Sequence, residues 1–367
     1  MRTFVLVGSC LLASVACSAS LSSADRFGAG EATGPDAGFA PPSEQDPEGG
    51  VGRIEANGIV LVHAASFPAF RVCFVGLAAE RAIPNDDVMP ESNVAGVEIG
   101  TAVRLAPRKE PLGEAFVFEE RALRSTPLRD ASCSDLLSGT FRSNAIAVGE
   151  VTADVSRGVH LLVLAGCRGA LADPYASVER CGPTWNPTSG NLALTTLPLP
   201  AYAAPGEGRL GVQIVQLSQG IAHRAGDRAL GVAFGPLDDA GAPFVEGPLP
   251  FGAPLPSVPA TLEIPNELTD FDTTGVEVSV ARSGDGGVAD SGDPDREILF
   301  RQSLADIQRR SAPRALPPDW YRAPSSYVVL ALGEHDPRDP DGGGPDDDER
   351  RALHLVALPL AEPDAGR

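Results

Sequence analysis

Lysine is almost missing from this 367-residue chain: Lys109 is the single one, and arginine supplies nearly all of its 29 positive charges. Set against 49 acids, that leaves a formal net charge of −20. A phosphate-rich surface would repel such a chain, which excludes a nucleic-acid groove or a polybasic membrane patch. Cations, basic surfaces and neutral polymers remain as partners. Beyond the N-terminus no stretch reaches 18 uninterrupted apolar residues, so no permanent transmembrane helix is expected. Catalytic signatures are missing as well. There is no G-x-S-x-G elbow and no S-x-x-K pair to activate a serine, and no glycine-rich nucleotide loop. The five histidines, His63, His160, His223, His335 and His354, form no H-E-x-x-H or other close ligand pair. No C-x-x-C pair occurs, which leaves zinc unsupported. His160 and His354 lie in strand-like runs and read as rings bonded to backbone, and His63 as a residue holding a turn. The expectation is a noncatalytic protein without a cofactor.

What is present begins with an address. Met1-Arg2-Thr3 supplies one positive charge, Phe4 to Leu12 a short apolar run, and Ala13-Ser14-Val15-Ala16 a small-residue step before Cys17. These are the three parts of an export signal. The segment resembles a bacterial lipoprotein signal, although Ser14 stands where leucine is usual. The resemblance implies removal of residues 1–16 and a lipid on the thiol of Cys17, hence a cell envelope location, with the outer membrane as the expected site. Ordinary cleavage after Ser14-Val15-Ala16 or a few residues later is the competing reading. Residues 17–53, rich in Gly, Pro, Ser and acids, read as a disordered spacer.

With Cys10 and Cys17 set aside, Cys73, Cys133, Cys167 and Cys181 remain, an even set on an exported chain and the signature of two disulfides. Four cysteines allow three pairings. Cys167 ends one apolar run and Cys181 precedes the next, so that bond would staple the loop between them and leave Cys73 for Cys133.

The chain also repeats itself. His160 to Gly166, a loop, then Leu192 to Leu199 is matched by Tyr327 to Gly333, a loop, then Leu353 to Leu360. Each pair ends in Leu-Pro-Leu. More loosely, Ile59 to His63 and Phe70 to Val75 parallel Leu210 to Leu217 and Ala229 to Phe234, and Glu114 to Arg121 parallels Glu297 to Gln302. The repeats are therefore placed at 54–200 and 207–362, joined by the linker Pro200 to Gly208. With 40 Gly and 34 Pro the chain is rich in turns, and its apolar runs are short and bounded by Gly, Pro, Asp or Asn. Val276-Glu277-Val278-Ser279-Val280 alternates with period two, which implies one buried and one wet face. The fold class expected is all-β: two tandem antiparallel β-sandwich domains, each closing its own interior. Helix is confined to short pieces at Ser303 to Arg310 and Asp130 to Leu137.

Val60-Leu61-Val62-His63-Ala64-Ala65-Ser66-Phe67-Pro68-Ala69-Phe70-Arg71-Val72-Cys73-Phe74-Val75-Gly76 resembles the opening of the domain of unknown function 4397 family, within 59–76. Members are exported bacterial β-sandwich domains, often in tandem. The resemblance implies a sandwich fold and a cell-surface location, and it carries no catalytic residues.

Acidic loops are the remaining ligand candidates. Asp339, Asp341, Asp346 and Asp348 crowd a loop with Gly342 to Gly344, and such carboxylates and free carbonyls can supply oxygen ligands to calcium. Neither this loop nor the one holding Asp285, Asp290, Asp293 and Asp295 follows the EF-hand pattern. Solvated tips are the simpler reading. The function expected is that of an envelope lipoprotein displaying tandem modules for binding or structural roles. Its partners would be a membrane, through the lipid, and an envelope protein or polysaccharide, with no nucleic acid. A hydrolase or sugar-processing site between the modules is the alternative, and a calcium-dependent adhesin a third reading.

Overall fold

The computed structural model describes residues 58–84, 96–105, 108–174, 176–199, 205–238, 243–264, 271–281, 296–311, 316, 320–322, 326–334 and 351–360. The first half supplies β1 (Gly58–Ser66), β2 (Phe70–Phe74), β3 (Ala102–Leu105), β4 (Gly113–Glu119), β5 (Ile146–Val151), β6 (Val159–Cys167) and β7 (Ala193–Leu199). These form two sheets, ordered β3-β1-β6-β7 and β2-β4-β5. The second half supplies β8 (Arg209–Gln216), β9 (Leu230–Pro236), β10 (Val245–Gly247), β11 (Pro254–Glu263), β12 (Thr274–Ala281), β13 (Arg296–Ser303), β14 (Ser326–Leu332) and β15 (His354–Leu360). Their sheets are ordered β11-β8-β14-β15 and β10-β9-β12-β13. The two plans correspond strand for strand in order and pairing, and even β10 has a one-residue counterpart in the bridge from Val97 to Phe70. Among the described residues, no strand pairs across the halves.

Each half is a sandwich with its own aliphatic interior. Ile59, Leu61, Phe70, Val72, Val117, Leu162 and Leu164 meet in the first, and Val212, Ile214, Val232, Val278, Val329 and Leu355 in the second. The second interior includes a small apolar void lined by Val212, Val276, Trp320 and Val329. A third layer of equal consequence lies between the halves. Val60, Val62, Leu161 and Val163 point away from the first interior and pack with Val215, Val328, Leu330, Leu332, Val356 and Leu358, which point away from the second. Four sheets are thus stacked with three apolar layers between them. A fourth cluster lies on the outer face of β2-β4-β5. There the 3-10 turn Glu120–Leu123 and α2 (Cys133–Ser138) bring Leu123, Cys133 and Leu136 onto Cys73, Phe116 and Phe118, with Leu128 of α1 (Thr126–Arg129) packed against them.

The Leu-Pro-Leu endings are explained by sheet edges. β7 and β15 are outermost strands, and an open edge exposes unpaired backbone groups to any passing strand. On β15 the outward N–H of Leu355 donates to Oε1 of Gln302 (2.6 Å), whose Nε2 donates to the Leu355 carbonyl (3.3 Å). The next outward N–H, of Ala357, donates to Oγ of Ser311 (2.8 Å). The position after that is Pro359, which has no N–H to expose; Pro198 takes the same place on β7. Replacing Gln302 with leucine should therefore cost about 3 kcal/mol, because two buried backbone groups lose their partner. The shift of the urea midpoint measures it.

Four expectations need correction. The sandwiches are not wholly antiparallel: β1 runs parallel to β6 and β8 to β14, which the long chain between them permits. Each half does not close its apolar surface alone, since the third layer belongs to both. The far face of β12 is only partly wet: Glu277 meets Arg301 (2.7 Å) at the surface, but Ser279 is buried and Arg296 lies over Gly231 beside it to reach Glu246 (2.6 Å). Finally, Glu114 to Arg121 does not correspond to Glu297 to Gln302. By pairing, β4 answers to β12, and β13 answers to β5. The helix placed at Ser303 to Arg310 is α5 (Leu304–Arg310), capped by Ser303 and burying Leu304 and Ile307.

Candidate functional site at the distal end of the strands

Strand direction gives the molecule two unlike ends. β1 and β6 run side by side from Gly58 and Val159 to Ser66 and Cys167, and β8 and β14 run together likewise. Arg180 with Glu334 and His354 with Gly100 join the halves near the C-terminal ends of β6, β14 and β1. The near end holds Gly58, where the N-terminal segment enters. It also holds Leu199, Arg209 and Leu360. The far end, about 26 Å away along β1 at roughly 3.3 Å per residue, holds the β6–β7 loop, α4 (Gln219–Ala225), Glu334 and Arg351.

The β6–β7 loop is the most heavily fixed feature there. Cys167 is bonded to Cys181 at the end of α3 (Val178–Cys181), 14 residues on. Asn191 accepts from the Cys167 N–H through Oδ1 (3.0 Å) and donates through Nδ2 to the Cys181 carbonyl (2.8 Å). The Trp185 indole N–H donates to the Arg168 carbonyl (3.0 Å). At Gly190 (φ +72°) a methyl would overlap the Cys167 carbonyl, so glycine is required. From this frame Leu171 projects into solvent with its side chain fully exposed, and Val178 is 40% exposed.

The same loop is clamped to the second half. Arg180 donates through Nε (3.0 Å) and Nη2 (2.7 Å) to Oε2 of Glu334, a largely buried pair. Ser218, the N-cap of α4, accepts from the Ile221 N–H (3.2 Å) and donates to the Gly333 carbonyl (2.6 Å). The Gln219 side chain fills the space that a side chain at Gly182 would need.

Two buried histidines complete the seam. His63 is fully enclosed, with Nδ1 3.0 Å from the Val97 carbonyl and its ring edge-on to Phe70 at 4.9 Å. Its Nε2 has no partner among the described residues. Burial holds this imidazole down at about 4, against an ordinary 6.5. His354 has Nδ1 2.7 Å from the Ala352 carbonyl and Nε2 2.8 Å from the Gly100 carbonyl of the other half. Burial lowers its pKa too.

Of the residues singled out from sequence, the four cysteines are joined as Cys73–Cys133 and Cys167–Cys181. His63 and His354 serve backbone carbonyls. The Nδ1 of His160 is buried without a partner among the described residues, and His223 is exposed on α4. Cys17, the acids Asp339, Asp341, Asp346 and Asp348, and the acids of the 285–295 loop lie outside the described residues. Among the described residues, no three His, Cys, Asp or Glu side chains gather as a metal site, and no helix is long and apolar enough to cross a membrane. A substrate site between the modules would have to be built at the rim of the third apolar layer, because its middle is filled by Val and Leu. Arg180, Glu334 and Gly100 were not singled out from sequence, and nothing around them signals a partner in the other half. No family model and no curated protein matches the chain. The resemblance of 59–76 to the domain of unknown function 4397 family therefore stands on those residues, while the all-β architecture and the disulfides, which fit an oxidising, extracytoplasmic compartment, stand on the structure.

Proposed function

We propose that the chain is a noncatalytic envelope lipoprotein, held to a membrane by a lipid on Cys17, that presents the far end of its stacked sandwiches to an envelope protein or polysaccharide. One observation carries this reading. Gly58, which continues the N-terminal segment, and the stapled loop bearing Leu171 lie at opposite ends of the strands. A tether at Cys17 then joins the body at the end opposite that loop. The rigid frame of that loop lowers the entropy lost when a partner binds.

Intact mass of the membrane-extracted protein tests the anchor. The expected result is a chain beginning at Cys17 that carries diacylglycerol, and Cys17→Ser should release the protein to the soluble fraction. A soluble chain with another N-terminus would overturn the anchor.

A further inference from the structure

The segment 96–101 of the first half is held by one histidine from each half. Gly100 donates its N–H to the His63 carbonyl (2.9 Å) and accepts at its own carbonyl from Nε2 of His354 (2.8 Å). The His63 N–H donates to the Thr101 carbonyl (2.9 Å), and its ring faces the Val97 carbonyl. One glycine thus joins the two imidazole-bearing strands across the seam.

The two rings respond differently to a proton. Neutral His354 has a single N–H for two carbonyls, so an added proton supplies a second donor and does not break its hold. Neutral His63 spends its N–H on Val97; an added proton must sit on Nε2, which is enclosed and makes no hydrogen bond among the described residues, although the Phe67 carbonyl lies near the ring. The charged groups acting on these rings are cations, Arg351 on His63 and Arg310 on His354, while Glu98 offers His63 a backbone carbonyl. Among the described residues no carboxylate compensates a charge on His63.

We propose that His63 is the trigger of an acid-released latch. A proton on Nε2 drives segment 96–101 from its seat, Gly100 leaves His354, and the far end of the seam between the sandwiches opens. The expelled segment lets the charged ring reach water.

Hydrogen exchange of the full chain, corrected for the intrinsic effect of pH, tests this. A folded-state value of about 4 against 6.5 when exposed predicts that protection of the Gly100 amide falls about thirty-fold between pH 7.5 and pH 5. Gly100 should exchange ahead of Val117 in β4 at both values. His63→Phe should abolish the pH dependence. If that variant does not fold, the wild-type ring resonance of His63 replaces it, and Gly100 protection must fall from about pH 6.5 downwards and level off below the midpoint of that resonance. Protection at Gly100 that does not fall would overturn the latch, as would a fall equal in His63→Phe, a fall that continues below the ring midpoint of His63, or exchange in step with Val117.

Discussion

Replacing Cys73 and Cys133 together by serine is expected to lower the stability of the chain by about 4 kcal/mol. The bond spans 60 residues, and cross-linking a loop of that length removes much of the freedom of the unfolded chain. Its place in the fold adds to the effect. Cys73 is in β2 and Cys133 opens α2, so the bond pins the helical cap over Phe116 and Phe118. Without it the cap keeps the Leu123 and Leu136 contacts and the Ser132–Asp135 capping box of α2. Urea titration should show one transition at a lower midpoint, with the slope raised where the unfolded chain expands. The corresponding pair Cys167 and Cys181 spans 14 residues and should cost less, about 3 kcal/mol.

The second large effect is expected at the layer shared by both halves. Leu330 is completely buried there, opposite residues such as Leu161 and Val163 of the first half. Leu330→Ala should cost about 3 kcal/mol, from lost transfer energy and the cavity left behind. The loss should be felt in both halves. Trp185 is in the first and Trp320 in the second, so tryptophan fluorescence samples each. A single shifted urea transition is expected; a change confined to one phase of a two-phase curve would mean that the layer does not couple the sandwiches.

Much of this architecture was legible in the sequence, for identifiable reasons. The duplication showed because Leu-Pro-Leu marks an edge strand in both halves, where proline has no N–H to leave open. The three-residue spacing of Leu304 and Ile307 announced α5, which Ser303 caps. The third layer was less legible. Tyr327 to Leu332 is apolar at every position, which is how a strand buried on both faces reads, but nothing within the run says what covers the second face. The counterpart of β4 was misread because Glu297 to Gln302 also mixes apolar and charged residues, and only hydrogen-bonded pairing shows that β12 takes that place. The far-end seam was illegible, since Arg180 meets Glu334 across 154 residues and His354 meets a backbone carbonyl across 254.

Native-state hydrogen exchange of the intact chain tests most directly whether the stacked sandwiches are one cooperative body. The slowest amides of β1 and β6 should share one opening free energy with those of β8 and β14, and Leu330→Ala should lower all four by the same amount. Two distinct opening energies, with β1 and β6 unmoved by that substitution, would contradict it.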